Sequence, residues 1–160
     1  MIVINMLKCF LNIKKEKSTF NFDTLSLQFT GPQNDRQRKV VEAFKHAWTN
    51  YRTYAWGHDH LRPISKSAQN WFGLGLTLID SLDTMYIMNL KEEFKEARDW
   101  VQNSLDFNID KDVNLFETTI RVLGGLLSAF HLSNDNVFLE KATDVGTRLM
   151  GSFTSPSGTY

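Results

Sequence analysis

The chain has 160 residues, the size of one ordinary domain, with 42 % hydrophobic and 22 % charged residues, the composition of a globular protein with a sizeable core. Lys+Arg and Asp+Glu are both 18, and this balance argues against a basic nucleic-acid surface or a polybasic membrane patch while leaving neutral ligands such as carbohydrate open. Cys9 is the single cysteine, which excludes an internal disulfide and a cysteine metal cluster.

Residues 1–33 read as a leader or linker of poor order. Their apolar start, "MIVINMLKCFLNIKKEK", is broken by Lys8 and is too short for the about 20 residues that span a bilayer. It lacks a small-residue cleavage site, and the segment ends in the turn signal "FTGPQ". A helix is predicted next, capped by Asn34 or Asp35, with Val40, Val41, Phe44, Ala47, Trp48 and Tyr51 on one face. "GHDHLRPISKSAQNW" reads as a polar loop.

Phe72 to Leu90 is apolar on most sides, with Thr77, Asp80 and Thr84 on a narrow polar stripe and Ser81 and Asp83 at its margins. A one-faced surface helix follows through Leu90, Phe94, Ala97, Val101 and Leu105. The pattern then recurs. Asn114 to Leu132 is apolar with a stripe of Asn114, Glu117, Arg121, Gly124 and Ser128. After the capping cluster "SND", a one-faced helix runs through Phe138, Ala142, Val145 and Leu149. This alternation, with a repeat of roughly 40 residues, predicts an all-α protein of paired inner and outer helices, either a solenoid or a closed double ring.

Glu117 and Arg121 stand i, i+4 in the favourable order for a helix pair. They are either a structural ion pair or a carboxyl group in a water-poor cavity beside an orienting cation. Asp80, on the matching stripe, either caps a nearby helix or bonds Thr84, or else it is a second acid facing the same cavity. Two such acids are the raw material of glycoside hydrolysis. His58 and His60 flank Asp59 but lack a third ligand at a metal-binding spacing, and "FGLGL" lacks the strand and third glycine of a dinucleotide fingerprint. Gly124 and Gly125 each cost about 1 kcal/mol inside a helix, so a close approach of another helix or a ligand is expected there. None of Trp48, Trp56, Trp71 and Trp100 is assigned to binding.

Four stretches in order, "RQRKVVEAFKHAW", "YAWGHDHLRP", "GLGLTLIDSLDTM" and "NLFETTIRVLGGLLSAFHLS", resemble the class I α-1,2-mannosidases, glycoside hydrolase family 47, and its endoplasmic-reticulum branch above all. The resemblance runs from about Gln37 to Met150. It implies that residues 34–160 form the N-terminal portion of a catalytic domain, part of an (α/α)7 barrel whose ring is incomplete here. It also implies inverting removal of terminal α-1,2-linked mannose from high-mannose N-glycans of glycoproteins, a bound calcium ion, and a place on the lumenal side of the endoplasmic-reticulum or Golgi membrane.

By the same resemblance Glu117 is the general acid, Arg121 orders that carboxylate or holds the leaving mannose, and Asp80 lines the sugar site. The general base and the calcium ligand are expected beyond Tyr160, with no metal ligand in this chain. The chain is therefore expected to be a fragment, inactive by itself, with any membrane anchor not visible in it. The competing reading is a mannosidase-like lectin that escorts misfolded glycoproteins to endoplasmic-reticulum-associated degradation.

Overall fold

The computed structural model describes residues 29–154. The larger part of the leader or linker expected over 1–33 lies outside them. Of its end, Phe29 meets Tyr86 edge-on at 6.0 Å between ring centroids.

Helix α1, Asp35–Ala55, starts as the sequence predicts: the Asn34 side chain accepts a hydrogen bond from the Gln37 N–H. Only its C-terminal half is covered. Trp48, Tyr51 and Ala55 are buried, whereas Val40 and Ala47, assigned to the same face, are exposed. The polar loop after it is in part a hairpin, so the all-α reading gains a small exception. Strands β1, His60–Arg62, and β2, Ser67–Gln69, pair antiparallel with Leu61 opposite Ala68. Strands of three residues are too short for a period of two to show in sequence.

The apolar run from Phe72 is helical only from Leu76. It forms two short helices, α2, Leu76–Asp80, and α3, Leu82–Ile87, joined at Ser81. Gly75 precedes them in the left-handed region, where a side chain would meet the Trp100 ring at 2.5 Å. The surface helix α4, Lys91–Asn103, buries Ala97 and Val101. Helix α5 comprises Leu115–Glu117, a π-helical stretch Thr118–Leu123, and Gly124–Ser133. Its first N–H groups are capped by Asn114, and it ends on Asn134 in the left-handed conformation. Helix α6, Asn136–Leu149, is capped by Asp135 and followed by the 3-10 turn Met150–Thr154.

Helices α2, α3 and α5 pack on one another as an inner layer, and α4 and α6 cover them, touching each other. The core between the layers holds Leu78, Ile79, Leu82, Met85, Val101, Val122, Leu126 and Phe138, with Phe94 and Phe138 5.7 Å apart. The inner–outer alternation read from the sequence is therefore the observed architecture, a partial helical barrel. One side of the inner layer stays uncovered among the described residues: Phe116, Ile120 and Ile87 are exposed.

The glycine pair in α5 divides sharply. A Cβ on Gly125 would stand 2.9 Å from Ile79 Cγ2 and 3.1 Å from the Ile79 carbonyl oxygen, whereas one on Gly124 would meet only the Thr119 carbonyl at 3.5 Å. Gly124→Ala is expected to raise stability by up to about 1 kcal/mol through helix propensity. Gly125→Ala is expected to lower it, because overpacking costs about 1–3 kcal/mol. Melting temperatures of the two variants of the intact protein check this; equal shifts of the same sign would refute the close contact.

Candidate active site

Asp80 is the last residue of α2 and Arg121 lies in the π-helical stretch of α5, where the two inner helices cross. Arg121 Nε and Nη2 both donate to Asp80 Oδ2, at 2.8 and 2.5 Å. The Arg121 Nη1 to Glu117 Oε2 distance is 3.9 Å, an ion pair beyond hydrogen-bond length. The structure thus brings all three sequence-predicted residues into one cluster, and the partner of Asp80 in it is Arg121, neither a helix end nor Thr84.

The side chains of Arg121, Glu117 and Asp80 are 22, 30 and 35 % exposed, so the cluster sits at a solvent-accessible rim. Ion pairs this open contribute about 1 kcal/mol or less. Their value lies in fixing geometry. Arg121 commits two donors to Asp80 across the helices, and Glu117 keeps its oxygens available to an incoming group.

Next along the stripe Ser128 donates to Asp83 Oδ2 at 2.9 Å, a second polar tie between the inner helices. The Thr118 hydroxyl, beside Glu117, is buried and without a hydrogen-bond partner among the described residues. Sequence reading named Asp83 and Ser128 as stripe residues and did not pair them.

What it missed altogether is Asp59. This carboxylate is inaccessible to solvent and, among the described residues, has no cation beside it. Oδ2 accepts from the N–H groups of Trp71, Phe72 and Gly73 at 2.8, 2.6 and 2.6 Å. Oδ1 accepts from those of Leu74 and Leu76 at 2.9 and 3.1 Å. The Asp59 carbonyl accepts from Thr77 Oγ1 and Thr77 N, and the Asn70 side chain accepts from the Asp59 N–H.

Burial alone would push the Asp59 pKa up. The N–H groups of Gly73, Leu76, Trp71 and Leu74 outweigh burial and hold it below the ordinary carboxylate value. Hydrogen bonds to a charged group contribute about 1.5–3 kcal/mol each, enough for five to offset the several kcal/mol of removing a carboxylate from water. Close by, burial pushes the Tyr51 hydroxyl pKa well up, and that hydroxyl donates to the His58 carbonyl at 2.7 Å, tying α1 to the same loop.

No group of three or more His, Cys, Asp or Glu among the described residues could hold a metal ion. A surface groove of about 460 Å³ lies between α1 and α4, lined by Trp48, Arg52, Glu93 and Glu96 among others. It is on the outer helices, away from Asp80, Glu117 and Arg121. Two ion pairs join the helices beside it: Arg52 to Glu96 at 2.8 Å, and Lys45 to Glu93 at 3.1 Å.

The profile of Glycosyl hydrolase family 47 matches residues 43–160. The chain is 65 % identical over 126 residues to the endoplasmic reticulum mannosyl-oligosaccharide 1,2-alpha-mannosidase of Rattus norvegicus, covering 79 % of this chain and 19 % of that protein. It is 56 % identical over 124 residues to mannosyl-oligosaccharide 1,2-alpha-mannosidase MNS1 of Arabidopsis thaliana, covering 77 % and 22 %. Among solved structures, an alpha-1,2-mannosidase from Trichoderma reesei superposes with a TM-score of 0.68 at 29 % identity, over 81 % of this chain and 30 % of that one. The chain thus spans about a fifth of the length of the curated relatives it matches.

The Asp59 geometry carries a pH signature. A depressed folded-state pKa contributes stability that is fully present above the unfolded value, about 3.9, and is lost as pH falls through the folded value. Asp59→Asn should melt below the unsubstituted protein at pH 7, and the gap between them should narrow from about pH 4 downward. Thermal melts of both at pH 7 and pH 3 measure it; a gap of unchanged size would show that the ionised carboxylate contributes nothing.

Proposed function

We propose, on the premise that this chain belongs to glycosyl hydrolase family 47, that the protein carrying it hydrolyses terminal α-1,2-linked mannose from high-mannose N-glycans, with Glu117 as general acid. The observation that supports this reading most is the division of labour around Arg121. Its hydrogen bonds go to Asp80 on the other helix, so the guanidinium is fixed, while Glu117 stands 3.9 Å away, partly exposed at the rim.

In an inverting hydrolysis the acid protonates the glycosidic oxygen as the bond to the anomeric carbon breaks. A base on the opposite face takes a proton from the water that attacks. Glu117 would deliver the proton. Arg121 would orient Glu117 and hold the leaving mannose, and Asp80 would line the sugar site while fixing Arg121. Asp80 is a poor candidate for the base, because both donors of Arg121 are directed at one of its oxygens. We assign the base to a residue outside the described ones.

Calcium is implied by the family resemblance, and the described residues do not fit it. Asp80 and Glu117 surround a guanidinium, which already supplies the positive charge. No step is therefore routed through a metal here. The proposed setting is the secretory pathway, at the lumenal side of the endoplasmic-reticulum or Golgi membrane, in N-glycan processing and glycoprotein quality control. Among the described residues no helix is long and apolar enough to cross a membrane.

Glu117→Gln in the intact protein should lower kcat by about 10²–10⁴-fold, the usual contribution of a general acid, with glycan binding retained. Proton NMR of the unsubstituted protein acting on a high-mannose glycan should detect β-mannose first, the product of inversion. Binding without mannose release would favour the escort reading; undiminished turnover in Glu117→Gln would remove Glu117 from the mechanism.

A further inference from the structure

Asp59 is a costly residue for a loop that only connects two elements. It is buried and, among the described residues, unpaired by any cation, and it gathers five N–H groups between Trp71 and Leu76. Those residues are what turn the chain from the hairpin into α2, and α2 is five residues long. Asp80 therefore lies within one helical turn of the last N–H that Asp59 holds, and Thr77 adds a second tie through the Asp59 carbonyl. So short a helix has little rigidity of its own. Its start is set by the carboxylate, and its end carries the oxygen that receives both donors of Arg121.

We infer that Asp59 is a positioning residue for the active site, setting the origin of α2 so that Asp80 meets Arg121. The packing around it leaves little slack. Trp100 stacks over the loop closely enough that a Cβ on Gly57 or Gly75 would approach its ring to 2.8 or 2.5 Å. On the other side of α2, Gly125 seats Ile79, the residue before Asp80. With the middle of α2 clamped, an error at its start is transmitted to the orientation at its end. An Asn at position 59 keeps the shape but presents an NH₂ group to N–H donors, leaving two or more of them unsatisfied.

The kinetic test rests on the glycosidase reading, and a second measurement does not. In the intact protein, Asp59→Asn should lower kcat/KM on an α-1,2-linked mannobiose by on the order of 10²-fold, the effect of a displacement of about 1 Å. In the Asp80→Asn background the same change should cost about 3-fold or less, because the group it positions is already gone. Equal losses in both backgrounds would overturn the inference.

Hydrogen exchange then judges the geometry without any catalysis. Asp59→Asn should lose amide protection across residues 71–80 while α6 keeps it. Unaltered protection over 71–80 would overturn the inference even if the unsubstituted protein released no mannose. Should Asp59→Asn fail to fold, Thr77→Val removes a single hydrogen bond to the Asp59 carbonyl. It should show the same pattern at about 3–10-fold in kcat/KM, and a full-sized effect in the Asp80→Asn background would count against us.

Discussion

A buried carboxylate with no cation beside it among the described residues has to find its compensation among dipoles, and Asp59 finds it in the backbone. Five N–H groups close on two oxygens, and this is possible only if residues 71–76 leave regular structure and curl around the acid. The curl needs Gly75 in the left-handed region, and the absence of a Cβ there is also what admits the Trp100 ring from α4. One charge thus fixes the break between hairpin and inner helix, the residue type at position 75 and the seat of the outer helix. Tyr51, donating to the neighbouring His58 carbonyl, extends the same constraint to α1.

From that anchor the inner helices meet at two adjacent levels. Gly125 allows α5 to approach Ile79 to within van der Waals contact, and one turn earlier Arg121 reaches Asp80, the next residue of α2. The apolar and the polar contact share one crossing, so neither is adjustable alone. The π-helical stretch Thr118–Leu123 sits where the chain must serve both, and such widened turns re-aim side chains that an unbroken α-helix would carry past each other. Thr118, with its hydroxyl buried and unpartnered among the described residues, lies in this stretch.

The sequence displayed the helices because their burial follows a period. Phe94, Ala97 and Val101 on α4, and Phe138, Ala142 and Val145 on α6, read directly as one face each, and the caps Asn34 and Asp135 fall where capping residues were legible, whereas Asn114 read only as a stripe residue. The polar stripes of the inner layer were legible for the same reason, and they delivered Asp80, Glu117 and Arg121 as a set. The close contact expected of the α5 glycines falls on Gly125 alone, a distinction that depends on which neighbour each faces. Asp59 left no trace of this kind. Its partners are backbone groups, which look alike in every sequence, and the stretch around it read only as a polar loop. The hairpin escaped because three residues cannot display an alternation.

An apolar helix that carries a glutamate and an arginine one turn apart invites the reading of an intrahelical ion pair, and the distances weigh against that as the main interaction. Along the helix the two are 3.9 Å apart, whereas across to α2 the arginine makes contacts of 2.8 and 2.5 Å. The arginine therefore belongs to the joint between helices, and the glutamate is the member with bonding capacity to spare. Phe116 and Ile120 flank it, exposed at the same edge of the inner layer. A carboxyl group at an apolar rim, beside a cation whose own hydrogen bonds are directed elsewhere, is the arrangement on which the proposed proton transfer to a sugar rests. Because an open ion pair adds so little stability, the selective value of placing charge on this helix is more economically sought in that chemistry than in holding the fold together.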